Sequence, residues 1–350
     1  MAVEERSSQR LARWCASSGE VSAFGVGLLD RMGGLIGFDG AFLAVVDPAT
    51  LLYTQAFRQG MPFEASAAFL AAELGPDDVN QLRQLVRQSS PVGWLDKATA
   101  GNRAEAARYR LAMRPFGLGD ELRVALVADG LCWGLLCLHR AAAKVGFEAA
   151  DATRIAAVAP WIAGALRRVL LTERAAVSRT IDGPGVSLLN SDRSVASSTP
   201  AAAYWLAELR ELEASDAEGL PTAVSSVVER LLGGGGPADA RVLAPSGQWL
   251  TISASHLDDA ARSVAVIIEP ASPLALAPLI VSSYGLTPRE HDVTRLLLTG
   301  TARKAIAAEL HISPHTVNDH VKAVFDKTGV SSAGELRARL LRLGPAQPPR

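Results

Sequence analysis

LHISPHTVNDHVKAVFDKTGV, residues 310–330, holds a tight turn, a helix start and a helix-period apolar stripe in one short span. Ser313 followed by Pro314 makes a strong helix N-terminus: the hydroxyl accepts from orphan N–H groups, and a proline at the first position has no N–H to satisfy. Val317, Val321, Val324 and Phe325 then recur at spacings of four, three and one, which aligns them on one face. The opposite face carries His315, Asn318, Asp319, Lys322 and Asp326. Short polar groups and a cation on the free side of a buried helix can reach a partner in solution.

The flanking residues extend the pattern. Thr287-Pro288-Arg289-Glu290 places Thr at an N-cap, Pro at the first helical position and Glu at the third, a capping box. Val293, Leu296 and Leu297 supply that helix's stripe, and Gly300 can end it at positive φ. A second short helix carries Ile306 and Leu310, and His311-Ile312-Ser313 turns into the helix quoted above. After Gly329, Ser332 with Glu335 makes another capping box, and Ala333, Leu336 and Leu340 form a narrow stripe. Four short amphipathic helices with a tight turn between the second and third describe a helix-turn-helix, whose third helix is free to enter a DNA major groove. An ordinary small helical bundle fits the same spacing, and local charge separates the two. From Tyr284 onward, ten Lys+Arg face six Asp+Glu, or +4, while the rest of the chain holds 25 against 30, or −5. Four of the six histidines also lie in this C-terminal part.

LTPREHDVTRLLLTG, AIAAELHISPHTVNDHVKAVFDKTGV and GEL resemble the LuxR-type helix-turn-helix of bacterial transcription regulators, through Thr287, Glu290, Gly300, Ile306, Ser313, Val317 and Gly329 among others. The resemblance implies that Asn318, Asp319 and Lys322 face base edges of double-stranded DNA, and that Thr316, His320 and Lys327 lie near phosphates. The first three also follow from the helical wheel, since Asn can pair with adenine, Lys can donate to guanine and Asp can accept from cytosine. His320 sits beside the apolar stripe, and packing at its edge stays an alternative to phosphate contact. Asn318 stands where many members of the family carry a basic residue, and Ala333 where they carry Arg. Both departures remove cations, so modest affinity for a monomer and dependence on a homodimer are expected. The last helix, through Leu336 and Leu340, is either the dimer surface or part of the core.

The whole chain has 350 residues and a net charge of −1, which predicts several domains and excludes a protein that coats nucleic acid or anionic membrane with its entire surface. Three cysteines, Cys15, Cys132 and Cys137, and no recognisable secretory leader point to a reducing cytoplasm. The charge-free stretch PASPLALAPLIVSSYGLTP, 270–288, contains four prolines and reads as a linker, not a membrane span.

The expected architecture is multidomain: two α+β units, then the all-α helix-turn-helix. Residues 1–175 hold a helix at Val21–Ile36, a hairpin at 41–57 across Asp47-Pro48, a second hairpin at 122–140 joined near Asp129-Gly130, and a long helix from Phe147 to Leu171. This part resembles a GAF domain through GLLDRMGGLIGFDGAFLAVVDP, WGLLCLHR and GFEAADATRIAAVAPWIAGALRR. Residues 183–270 resemble a PAS domain, with the opening hairpin GVSLLNSDRSV, helices at 200–213 and 221–232, and two closing strands. Residues 271–283 form the linker and 284–345 the DNA-binding unit. Both resemblances imply sensory modules that hold a small-molecule ligand of unspecified identity or make dimer contacts.

No catalytic or metal site and no cofactor is expected, and the residues that would hold a ligand are left unassigned. Cys132 and Cys137 lie five apart on one strand and should point to opposite faces, as buried structural thiols or, on a second reading, as part of a redox sensor or thiol enzyme with His139 nearby. The run Gly233–Gly236 lacks the Lys-Ser/Thr of a phosphate loop and reads as a flexible connection. Asp47 ends a strand as a phospho-acceptor would, without the neighbouring acidic pair or the β/α alternation of a receiver domain.

Overall fold

In a computed structural model the described residues are all except 1, 18, 77, 173–182, 214–218, 235–237, 258–262, 273–274, 277–278, 280–283 and 337–350. They form two antiparallel sheets with helices, followed by a helical unit.

Two helices, α1 (Ala2–Ser17) and α2 (Val21–Met32), precede the hairpin β1 (Gly40–Val46) and β2 (Tyr53–Gln59). Helix α3 (Ala65–Leu74), short helical turns, β3 (Val92–Trp94), β4 (Leu118–Ala128), β5 (Leu131–Ala141) and α4 (Ala149–Thr172) follow. The sheet order is β2-β1-β5-β4-β3. The β4–β5 turn needs positive φ at both central residues, and Asp129 (51°) with Gly130 (77°) supplies it. Leu122, Val124, Leu126, Leu136 and Leu138 project to one face of the sheet, where Ile155, Val158, Ile162 and Leu166 of α4 and the apolar sides of α1 and α2 cover them.

The second unit repeats this wiring. A hairpin, β6 (Gly185–Leu189) and β7 (Val195–Ser198), leads through α5 (Pro200–Glu211) and α6 (Thr222–Leu232) to β8 (Ala238–Leu243), β9 (Trp249–His256) and β10 (Val264–Pro270), in the order β7-β6-β10-β9-β8. The two sheets therefore share one strand order with no periodic repeat in sequence. Three strands close the second sheet where two were expected, because Gly247, at φ 76°, turns the chain between Leu243 and Trp249.

The sheets do not stand apart. Ala44, Val46 and Leu135 of the first share one continuous buried cluster with Val224, Val227 and Val242 of the second. An ion pair locks the junction: Arg241 Nη2 lies 2.7 Å from Asp47 Oδ1, and Arg241 Nε and backbone N each donate to Oδ2 at 2.9 Å. Both side chains are buried. Asp47 thus ends its strand as the anchor of an inter-sheet ion pair. Arg241 Nη1 also donates to Ala275 O at 3.0 Å, holding the chain that leads to the C-terminal unit. Ala275, Leu276 and Leu279 are helical, and both leucines are buried in the first core, so the expected linker is partly built into the molecule.

Candidate functional site

Beyond that connection, α7 (Pro288–Leu298), α8 (Arg303–Glu309) and α9 (Pro314–Thr328) pack around Val293, Leu296, Leu297, Ile306, Ala307, Val317 and Val321. The caps are formed as their sequences require. Glu290 Oε2 accepts from Thr287 N at 2.7 Å while Thr287 Oγ1 accepts from Glu290 N at 3.3 Å. Ser313 Oγ accepts from Thr316 N at 3.0 Å, and Gly329 closes α9 at φ 65°. The tight turn before α9 is made by His311 at φ 53°. Ser332 Oγ accepts from Glu335 N at 3.1 Å and opens a fourth helix at Ala333. Leu336 is buried in its first turn, and Leu340 lies outside the described residues.

On α9, Val317, Val321 and Val324 are buried and Phe325 half-buried, while His315, Asn318, Asp319, Lys322 and Asp326 are exposed. Asn318, Asp319 and Lys322 thus share the solvent face. Asn318 Oδ1 accepts from Arg303 Nη1 at 2.9 Å, and His315 Nδ1 stands 3.4 Å from Asp319 Oδ2. Lys322 has no ion-pair partner among the described residues and stays free to meet an anion. Thr316 is half-buried, its hydroxyl 2.9 Å from Ser313 Oγ, and His320 is half-buried. Lys327 is on the other side, its Nζ 2.7 Å from Glu290 Oε2. Burial pushes the Glu290 carboxyl up, but the hydrogen bonds from Lys327 and Thr287 outweigh it and hold the group below the usual range.

Arg303 was not singled out from the sequence. Its guanidinium comes from α8 to sit beside Asn318, restoring a cation where the family pattern has a basic side chain on α9 itself. The adjacent basic pair in TARKA was the available signal, and Lys304 beside it is also exposed.

The chemistry suggested for the cysteines is not favoured. A bulge in the β4–β5 pairing sets Leu126 opposite Gly134 and Val127 opposite Cys132, so Trp133 is the extra residue and the alternation of faces reverses there. Cys132 and Cys137 therefore lie on the same face, in one buried cluster, and not on opposite faces as their spacing implied. Burial pushes the two thiols up to about 12 and about 11, far from the thiolate a nucleophile needs.

A second candidate feature lies on that same face. A cavity of about 470 Å³ opens between the first sheet, α3 and elements of the second unit, with Arg108, Glu121, Arg123, Cys137 and His139 in its lining. Strand register sets out its floor: Glu121 pairs with His139, and Arg123 with Cys137, which pairs in turn with Phe42. Arg108 Nη2 and Nε donate to Glu121 Oε2 at 2.6 and 2.9 Å, and Arg123 Nη2 to Glu73 Oε2 at 2.6 Å. Burial raises and the two arginines lower the Glu121 carboxyl, and the arginines prevail, leaving it at about 2. Burial is the main reason the His139 imidazole falls to about 4, so it is neutral at pH 7.

Capped short helices, a tight turn and an exposed polar row on the third helix define a helix-turn-helix of the DNA-reading class. Residues 284–338 match the bacterial regulatory proteins of the luxR family. The spore germination protein GerE of Bacillus subtilis is 41% identical over 59 residues, which are 17% of this chain and 80% of GerE. An HTH-type transcriptional regulator of Mycobacterium tuberculosis is 42% identical over 59 residues, and the chain spans only 7% of that relative's length. Among solved structures, the GAF domain of the Acinetobacter phosphoenolpyruvate-protein phosphotransferase is similar at TM-score 0.35 and 11% identity, covering 49% of this chain and 96% of that one. Through its C-terminal unit this chain belongs to the luxR family of bacterial regulatory proteins.

Proposed function

We propose that this protein is a cytoplasmic, sequence-specific, DNA-binding transcription regulator. It acts as a homodimer, and its DNA-reading helix is α9. The observation that carries the reading is the exposed row Asn318, Asp319 and Lys322, flanked by Arg303, on a helix held rigidly by its caps and buried stripe. Asn318 and Lys322 supply donors for purine edges, Asp319 an acceptor, and Arg303 and Lys304 supply cations for the backbone. Thr316 and His320 stand at the flank of α9 in reach of phosphates, and Lys327 reaches one only by leaving Glu290.

The sheet domains gate this unit. Glu121 and Arg123 on β4 and Cys137 and His139 on β5 line the cavity, and the same two strands meet at the Asp129-Gly130 turn. Gly130 lies against Pro288, the first residue of α7, where a Cβ on Gly130 would sit 3.5 Å from Pro288 Cγ. Asp129 is also paired with Arg167 of α4 at 2.6 Å, so the turn couples the cavity, the long helix and the DNA-binding unit. A ligand that fits one setting of this hairpin better than another shifts the orientation of α7 through α9. Transmission through residues 155–175 and the proline-rich stretch belongs to the same reading, and residues 173–175 lie outside those described.

Selection of the full-length protein against random duplex DNA tests the proposal. A two-fold symmetric site with a clear salt slope is expected, with Lys322→Ala weakening it. Unaltered affinity and salt slope in that variant would remove α9 from the reading role.

A further inference from the structure

Asn318 does not act in the row on α9 alone. Its Oδ1 accepts from Arg303 Nη1 at 2.9 Å, and both side chains are exposed. Packing sets this pairing. Ile306, one turn after Arg303 on α8, and Val317, the residue before Asn318 on α9, are buried in one core with Val321. The two backbones are therefore fixed against each other where the side chains meet. Asp319 has a partner of its own in His315, 3.4 Å away, and Arg303 makes no ion pair among the described residues.

The hydrogen bond decides which end of the amide is offered to DNA. A guanidinium only donates, so the atom that faces it is the carbonyl oxygen, and the amide nitrogen with its two hydrogens is left for another partner. An asparagine by itself pairs with adenine through both ends: the oxygen accepts from N6 and the nitrogen donates to N7. Here the oxygen end lies against a cation whose nitrogens all carry hydrogens. Adenine would bring its N6 amino group, itself a donor, up to those donors. Guanine presents acceptors at both O6 and N7, which match a row of donors made by Asn318 Nδ2 and Arg303.

We propose that Arg303 is a positioning residue that turns Asn318 from an adenine reader into a guanine reader. It holds the amide by its oxygen and leaves Nδ2 for the base, and its positive charge favours the O6 and N7 side of guanine over an amino group. The two side chains, from different helices, then specify one base as a unit. This inference deepens the regulator assignment above and rests on α9 reading DNA.

The test selects the full-length protein on random duplex DNA as wild type, Asn318→Ala, Arg303→Ala and Arg303→Lys, with the unfolding midpoint of each read alongside. Asn318→Ala should lose base preference at one position of each half-site, which locates the contact. There the wild type should favour guanine over adenine by about fivefold or more. Arg303→Ala frees the amide oxygen and should shift the preference to adenine at that position alone, whereas Arg303→Lys, which still donates to Oδ1, should keep guanine. Arg303→Met, which keeps the stem and removes the donors, takes the place of Arg303→Ala if that variant does not fold. Adenine at this position in the wild type, no position altered in Asn318→Ala, or unchanged base preferences in Arg303→Ala would each overturn the proposal. In the last case a salt slope lower by about one would leave Arg303 as a phosphate contact only. Failure of the wild type to enrich any site would overturn the regulator assignment and this inference with it. An enriched site that Lys322→Ala weakens, with base preferences indifferent to Arg303, would overturn this inference alone.

Discussion

The two ends of this chain handle charge in opposite ways. In and around the first sheet and at its junction with the second, Asp47, Glu73, Arg108, Glu121, Arg123 and Arg241 are buried and held in ion pairs. On α9 and α8, Asn318, Asp319, Lys322, Arg303 and Lys304 are exposed and loosely held. Buried pairs fix geometry, because breaking one leaves an uncompensated charge. Exposed charges contribute little to stability and remain available to a partner. Substitutions in the first set should therefore act on folding, and in the second on binding.

Arg241→Ala should have the largest effect. It strands Asp47 between the sheets, and a loss of about 3–5 kcal/mol in urea unfolding is expected for a broken buried pair. A loss below about 1 kcal/mol would mean the junction is not held by this pair.

Acidification should come next. The His139 imidazole, held at about 4 by burial, resists protonation in the folded state, while the unfolded chain takes up a proton near its ordinary value of 6.5. The unfolded state thus binds more protons between those values, so stability is full above about pH 6.5 and falls as pH drops toward 4. From pH 7 to 5 the loss should be roughly 2 kcal/mol. His139→Gln should flatten this dependence, and an equally steep profile in the variant would assign it to other groups.

Lys322→Ala sharpens the other side of the contrast. Binding to the selected site should weaken by about 1–3 kcal/mol, with no change in unfolding midpoint. Relaxed discrimination at one base pair would indicate base contact, and a salt slope lower by about one would indicate phosphate contact. Ser313→Ala, which removes the N-cap of α9, should cost about 1 kcal/mol of stability and little else. DNA affinity falling far more than stability in that variant would show Ser313 touching DNA directly.

The same contrast explains what could be read from sequence. The C-terminal unit is specified by signals within four residues of one another: Thr287 with Glu290, Ser313 with Thr316, and the valines of α9. Such local patterns need no knowledge of the rest of the chain. The sheets depend on partners far apart in sequence. Asp47 and Arg241 are separated by 194 positions, and neither announces the other. The bulge at Trp133 reversed the faces of Cys132 and Cys137, a change that strict alternation cannot anticipate. The cavity floor left a trace all the same. Glu121 and Arg123 on one apolar strand, and Cys137 and His139 on the next, alternate on one face, and charged residues inside otherwise apolar strands mark a polar interior. Helix α3, which supplies Glu73 and a cavity wall, sits in an alanine-rich stretch whose weak periodicity hid it.

Whether α9 reads DNA sequence is decided by selecting the full-length protein on random duplex DNA and titrating the enriched site with the wild-type and Lys322→Ala proteins across a salt series. A two-fold symmetric site, a linear fall of log affinity with log salt, and weaker binding by the variant at every salt concentration are expected. The absence of any enriched site, both with the full chain and with residues 275–350 alone, would contradict such a role and turn attention to a protein partner for the exposed face of α9.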